Sequence, residues 1–159
     1  NSPHIEYKCM AIEDFDYIPE SYDIVISSLT FHYLELFPDI CKKVHRCLTP
    51  GGTFVFSVEH PVFTAYGSQD WFYDKQRNIL HWPVDRYFSE GKREAIFLGE
   101  NVTKFHKTLT TYVNGLIQNG FEITGLVEPE PDKTLLDSIP GMRDELRRPM
   151  MLIIAAIKK

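Results

Sequence analysis

The chain has few cysteines, no paired metal-ligand cysteines and no long apolar run. Its 159 residues include three cysteines, Cys9, Cys41 and Cys47, and none of them forms a CxxC pair. A small, scattered set of this kind is typical of a reducing compartment, so we expect a cytoplasmic protein without a structural metal. No apolar stretch is long enough to span a bilayer and no secretory signal opens the chain, so we expect no membrane association.

Basic residues are also scarce relative to acidic ones. The chain has 17 Lys and Arg against 22 Asp and Glu, a formal net charge of -5. Adjacent basic residues come in short pairs, such as Lys42-Lys43 and Arg147-Arg148, which are typical of solvated helix faces. Because binding to nucleic-acid phosphates needs clustered positive charge, we expect no nucleic-acid partner.

The chain does contain a strand-helix-strand pattern between Tyr22 and Pro61. Residues 22–34 read YDIVISSLTFHYL, and residues 47–61 read CLTPGGTFVFSVEHP. Each segment is an apolar strand that ends in polar residues, and between them apolar residues recur with helical spacing after Pro38. The carboxyl ends of parallel strands meet at one edge of a sheet, which is where open α/β sheets bind ligands.

The second half of the chain predicts a lid and a terminal hairpin. Nine of the 21 aromatic residues fall between residues 62 and 100 without clean periodicity. We interpret residues 62–105 as an insertion over the sheet, either a satellite core or a pocket for a flat molecule or a cation. A helix over Thr108–Asn119 leads to strands at Phe121–Val127 and Met150–Ile157, which we expect to pair antiparallel. The predicted fold is a single α/β domain over 1–159, three-layered, with a mostly parallel sheet that ends in this hairpin.

The order of these segments resembles the second half of a class I S-adenosylmethionine-dependent methyltransferase. LTPGGTF resembles the turn before the fifth strand of that family, and residues 108–123 resemble the helix and turn before its sixth strand. The resemblance implies a Rossmann-like fold with strand order 3-2-1-4-5-7-6, S-adenosylmethionine as cofactor and a small-molecule substrate. The family's glycine-rich loop would precede Asn1. We therefore expect a fragment that lacks its N-terminal part and that alone binds the cofactor weakly or not at all.

The resemblance also implies which residues contact the cofactor. The loop that precedes the first strand here contacts adenine in the family, and the end of that strand lines the methionine part. The implied cofactor-binding residues are Ala11, Ile12, Glu13, Ser27, Ser28 and Leu29. A solvated acidic loop is the alternative for the first three, and capping of the following helix is the alternative for Ser28.

Two histidines are candidates for the chemistry. His60 ends the second strand and His106 precedes the helix at 108, and both positions face the site in the expected topology. A neutral imidazole suits the task of removing a proton from an acceptor. The alternative for His60 is a strand-end residue whose ring is bonded to the backbone. We expect no metal, because three or more His and carboxylate residues at metal-ligand spacing are not present.

The sequence thus favours methyl transfer to a small molecule by the parent protein, with this chain alone inactive. The alternative is a non-catalytic α/β binding module. We also expect a homo-oligomer, because the strand at 22–27 would present an exposed sheet edge that pairs with a second copy. The predicted strand Ile5–Met10 offers a second route, by exchange between copies.

Overall fold

A computed structural model of the chain describes residues 4–159. Short 3-10 turns occur at Ile12–Asp14, Phe31–Tyr33 and Met142–Arg147. The strands and helices follow in this order: β1 (Tyr22–Ser28), α1 (Phe37–Cys47), β2 (Leu48–Glu59), α2 (Pro61–Thr64), β3 (Phe72–Tyr73), β4 (Ile79–His81), β5 (Gly91–Phe97), β6 (Glu100–His106), α3 (Leu109–Gln118), β7 (Phe121–Val127) and β8 (Met151–Lys158).

The main sheet has four strands in the order β1-β2-β8-β7. β1 runs parallel to β2, whereas β8 is antiparallel to both of its neighbours. Three strands therefore point the same way, and the last strand inserts between β2 and β7. The prediction of a mostly parallel α/β sheet that ends in an antiparallel hairpin is confirmed.

One face of this sheet carries the core. Its inward residues alternate along β2 and β8 and pack against the apolar stripes of α1 and α3, which contact each other. On the opposite face Val55 and Ala155 are half-buried. Ile24 and Ile26 of β1 are 60% and 73% exposed there. Both long helices cover the same face, so residues 4–159 supply two of the three predicted layers.

The Pro-Gly-Gly segment does not separate helix from strand as the sequence suggests. Tyr22 pairs with Leu48 and Ile24 pairs with Thr53, so residues 49–52 bulge out within β2. Gly51 adopts φ +77, and a Cβ on Gly52 would lie 2.8 Å from the carbonyl oxygen of Thr49. Glycine is needed at both positions, the first for its backbone angle and the second for the close approach.

The predicted strand at Ile5–Met10 is absent, and this expectation was wrong for the structure of residues 4–159. These residues form no strand, and the Tyr7 side chain is 82% exposed. A short segment with a strand-like pattern forms a strand only where a neighbour pairs with its backbone groups, and no described strand lies beside this one.

The predicted lid consists of α2 and two separate hairpins. β3 pairs with β4 and β5 pairs with β6, and neither hairpin joins the main sheet. Phe63 stacks on Trp82 with ring centroids 5.0 Å apart. The Arg148 guanidinium lies 4.1 Å from the Trp82 ring and forms an ion pair with Glu145 at 2.8 Å. Arg148 thereby joins the lid to the connection between β7 and β8.

The cysteines behave as small apolar residues where they are buried. Cys41 and Cys47 lie in the core, Cys9 is exposed, and all three thiols are free. Burial raises the pKa of the Cys41 thiol to about 12. Within the described part of the chain, none of the helices has the length and apolar character needed to cross a bilayer.

Candidate active site

Hydrogen bonds join the carboxyl ends of β1 and β2 at one edge of the sheet. Ser28 pairs with Ser57 in parallel register. The next residue, Leu29, has φ +50. Its N–H donates to both the carbonyl oxygen and the hydroxyl of Ser57, at 3.0 and 3.1 Å. A left-handed leucine is uncommon and is retained where the surroundings enforce it, often at a functional site.

A cavity of about 480 Å³ lies along β1 and ends at this edge. Ile12, Ser27 and Ser28 line it, together with the rings of Phe15 and Tyr17. The hydroxyls of the two serines have no hydrogen-bond partner among residues 4–159. The cavity therefore combines an apolar and aromatic wall with two available hydroxyls, and it brings together three of the six predicted cofactor-binding residues.

The other three predicted cofactor residues do not line this cavity. Ala11 is exposed, and its carbonyl accepts from Asp14 N–H at 3.1 Å. Leu29 is 36% exposed at the strand end. Glu13 lines a separate groove of about 900 Å³ along α1, whose walls are mostly charged. Neighbouring residues of the 3-10 turn point to different sides, which separates Glu13 from Ile12.

The imidazole of His60 is buried and used by the fold. Its Nδ1 accepts a hydrogen bond from Val62 N–H at 3.0 Å, which caps α2. The neutral ring therefore carries its proton on Nε2, which lies 2.8 Å from Glu128 Oε1. Burial lowers the pKa of the imidazole, against the opposing effect of Glu128.

His106 is more enclosed still. The side chain is 0% exposed. Its Nδ1 lies 2.8 Å from the Thr64 hydroxyl, and its Nε2 lies 2.8 Å from the carbonyl oxygen of Tyr87. A carbonyl only accepts, so Nε2 carries the proton and Nδ1 accepts from Thr64. Burial lowers the pKa of this imidazole, which keeps it neutral. Both nitrogens are occupied by protein atoms.

Glu59, the last residue of β2, is the centre of a buried polar triangle. Lys104 Nζ donates to Glu59 Oε1 at 2.6 Å and to Gln69 Oε1 at 2.8 Å. Gln69 Nε2 donates to Glu59 Oε2 at 2.8 Å, which closes the triangle. The Lys104 side chain is 2% exposed and the Glu59 side chain is 13% exposed. The lysine is thus fully enclosed, while the Glu59 side chain keeps a small exposed area.

His32 and Tyr33 complete the surroundings of this carboxylate. The Nδ1 of His32 accepts from Glu59 N–H at 3.2 Å, and its Nε2 lies 4.0 Å from Glu59 Oε1. Burial lowers the pKa of His32 to about 4, so the ring stays neutral beside the carboxylate. Burial and the charge of Glu59 raise the pKa of the Tyr33 hydroxyl, which stays protonated at neutral pH.

The family-level comparisons agree with the fold. The family model described as a methyltransferase domain matches residues 1–56. The crystal structure of a proposed S-adenosylmethionine-dependent methyltransferase from Listeria monocytogenes is 54% identical, with TM-score 0.94, over 100% of this chain and 71% of that one. An S-adenosylmethionine-dependent methyltransferase from Mesorhizobium loti is 35% identical, with TM-score 0.87, over 99% of this chain and 72% of that one.

The chain belongs to the S-adenosylmethionine-dependent methyltransferases. The resemblance inferred from the sequence is therefore confirmed at the level of the family. An uncharacterised protein of Haemophilus influenzae is 32% identical over 155 residues, which are 94% of this chain and 59% of the relative. The methyltransferase chain thus spans less than two thirds of the length of that relative.

The donor set of the β1 cavity fits the cofactor of this family. S-Adenosylmethionine has a flat, weakly polar adenine at one end and a charged amino-acid group at the other. Ile12 and the adjacent rings offer an apolar wall, and Ser27 and Ser28 offer hydroxyls that no residue in 4–159 uses. Among these described residues, no three His, Cys, Asp or Glu side chains are grouped as metal ligands.

The candidate site includes residues that the sequence did not reveal. The sequence showed Glu59 only as the polar end of an apolar strand, next to His60, which was the predicted candidate. Lys104 lies in the aromatic lid, where charged and apolar residues follow no clean period. Since its partners are 45 and 35 positions away in the chain, no local spacing predicts its burial.

Proposed function

We propose that the protein transfers the methyl group of S-adenosylmethionine to a small-molecule acceptor at the carboxyl edge of the sheet. The observation that supports this most directly is the cavity at the end of β1, with the unpartnered hydroxyls of Ser27 and Ser28, in a member of this family. We propose that Ile12 contacts the adenine and that Ser27 and Ser28 contact the methionine part. Ala11, Glu13 and Leu29 stay weaker candidates because they lie outside the cavity.

When bound, the cofactor's sulfonium supplies an electrophilic methyl group, so the protein's task is to position the acceptor and exclude water. Glu59 is the residue we favour for the acceptor side. Its carboxylate oxygens accept one hydrogen bond each, from Lys104 and Gln69, and each has a further lone pair. Glu59 is therefore suited to accept a hydrogen bond or a proton from an acceptor N–H or O–H.

The predicted contacts of His60 and His106 with the acceptor stay predictions, and we rank them below Glu59. His106 would have to release Thr64 or Tyr87 before either nitrogen reached a ligand. His60 would have to lose its contact with Glu128, whose side chain is 52% exposed and therefore freer to move. Of the two histidines, His60 is the better candidate.

The test is a calorimetric titration of S-adenosylmethionine into the complete gene product and into the 159-residue chain. We expect binding to the complete product and weak or absent binding to the chain alone. Ser28→Leu should weaken binding about tenfold, because it replaces a hydroxyl and fills the cavity, while the exposed control Ser89→Ala should not. Absence of binding to the complete product at millimolar cofactor would refute the proposal.

The second candidate function is a non-catalytic binding module. It is favoured by one observation, that both ring nitrogens of His106 are hydrogen-bonded to the protein and that Nδ1 of His60 is used to cap α2. This function would be supported if the complete gene product binds the cofactor but transfers no labelled methyl group to any small molecule of a cell extract. Transfer that Glu59→Gln abolishes would exclude it.

We also propose that the chain self-associates through β1. Among residues 4–159, β1 has a strand partner on one side alone, and Ile24 and Ile26 are largely exposed. An open apolar edge is a template for pairing with another chain. Sedimentation of the 18.5 kDa chain at micromolar concentration should give a dimer or larger species. A stable, folded monomer would refute this expectation.

A further inference from the structure

A cleft of about 530 Å³ opens between the lid and the connection from β7 to β8. We call it the acidic cleft. Trp71 and Ile79 of the lid form one wall, and Leu135, Met142 and Met151 contribute to the other. The volume suits a small organic molecule, and the lining has the apolar character of a ligand pocket. Methionines add a surface that adapts to different shapes.

The charged residues of this lining are all of one sign. Glu130, Asp144 and Glu145 contribute carboxylates, whereas none of the lining residues is Lys, Arg or His. Asp144 and Glu145 form ion pairs with Arg147 and Arg148 at 3.0 and 2.8 Å. These ion pairs neutralise two of the three carboxylates. The same two guanidiniums also lie against aromatic rings of the lid.

The third carboxylate is not neutralised. Glu130 has no partner among residues 4–159. Glu128, two residues earlier, does not line the cleft and lies 2.8 Å from the imidazole of His60. The cleft therefore carries a net negative charge that no described protein cation balances, and a cation is the complementary ligand.

The acidic cleft adjoins the carboxylate that we favour for the acceptor. Met151, in the cleft wall, is the antiparallel pair of Glu59 across the β2–β8 ladder. Directly paired residues project on the same face of a sheet, with Cβ atoms about 5 Å apart. A molecule whose body lies in the cleft is therefore within reach of Glu59.

We propose that the acidic cleft binds an organic cation, an amine or ammonium compound with an apolar body, and that this is the substrate class of the enzyme. The assignment as substrate rests on the proposed function. The assignment as a cation site rests only on the cleft. Its apolar walls hold the body of the molecule, and Glu130 faces the charge.

Three probes with one body and different charge test the cation site: 2-phenylethylamine, 2-phenylethanol and phenylacetate. Binding is measured by NMR in the complete gene product from the indole N–H resonances. The Trp71 signal is the probe because Trp71 lines the cleft, and the Trp82 signal is the reference because its N–H donates to the carbonyl oxygen of Val62 at 3.2 Å outside the cleft lining. We expect the amine to move the Trp71 signal with a dissociation constant on the order of millimolar. It should bind about tenfold more tightly than the alcohol, and phenylacetate should not bind.

Matched variants decide between cleft binding and general attraction of cations. Glu130→Gln should reduce the preference for the amine over the alcohol, and Leu135→Trp should block binding of both the amine and the alcohol. The exposed control Glu100→Gln should change neither the preference nor the binding. Equal binding of amine and alcohol, tighter binding of phenylacetate, no binding at all, or an unchanged preference in Glu130→Gln would overturn the proposal. The cofactor titration is separate, so amine binding without cofactor binding refutes the proposed function and leaves the cation site standing.

Discussion

The buried Lys104 offers the sharpest test of the polar triangle at the sheet edge. Its side chain is 2% exposed, and Nζ donates to Glu59 at 2.6 Å and to Gln69 at 2.8 Å. Breaking a buried ion pair leaves an uncompensated charge and costs about 3–5 kcal/mol. Glu59 would keep the amide of Gln69 and some contact with water, so we expect Lys104→Met to cost about 3 kcal/mol, at the lower end of that range.

Urea unfolding followed by circular dichroism measures this change. For a domain of this size the same loss lowers Tm by roughly 6–12 °C. The control is Lys92→Met on β5, whose ion pair with Glu94 joins side chains that are 63% and 57% exposed. It should cost less than about 1 kcal/mol. If Lys104→Met lies within about 1 kcal/mol of this control, the triangle does not stabilise the fold as we argue.

Three further predictions concern pH, thiol reactivity and the lid. Since burial lowers the folded-state pKa of His32 to about 4, below its ordinary value of 6.5, the unfolded chain takes up the proton first. The free energy of unfolding, measured by urea titration, should keep its full value above pH 6.5 and fall by up to about 3 kcal/mol between pH 6.5 and 4. His32→Gln should reduce that fall, and an equal dependence on pH in the two proteins would contradict this. Native protein should react with a thiol reagent at Cys9 alone, while Cys41 and Cys47 react only after unfolding; three fast thiols in native protein would show an open core. Arg148→Lys should cost about 2 kcal/mol and speed proteolysis within the lid, because lysine loses the stacking and the two-point ion pair; an unchanged cleavage rate would show that Arg148 does not hold the lid.

The elements that the sequence predicted are those with strong local signals. β8 is apolar from Met151 to Ile157, and β1 contains the apolar run Ile24–Ile26. α3 is capped by Thr108, whose hydroxyl accepts from Thr111 N–H at 3.2 Å. Each of these features is set by neighbours in the chain. Ile5–Met10 alternates apolar with charged residues, which is a strand-like pattern, but it forms no strand. Strand formation depends on a partner that the local sequence does not supply.

The candidate site was predictable in position but not in chemistry. Polar residues at two strand ends located the carboxyl edge, and Ile12, Ser27 and Ser28 do share one cavity there. What the histidines do depends on distant residues. His106 is 42 positions from Thr64 and 19 positions from Tyr87, its two partners. No spacing along the chain shows that both nitrogens are occupied.

The position of β8 explains why the connection from β7 belongs to the site at all. Because β8 runs antiparallel between β2 and β7, its first residue lies at the carboxyl edge, where Met151 pairs with Glu59. A final strand parallel to its neighbours would begin at the opposite edge and leave residues 128–150 far from the site. The antiparallel insertion thus sets three strand ends side by side, with Ser28 on β1, Glu59 on β2 and Met151 on β8. In our proposal these are the cofactor side, the reacting carboxylate and the cation cleft, in that order along one edge.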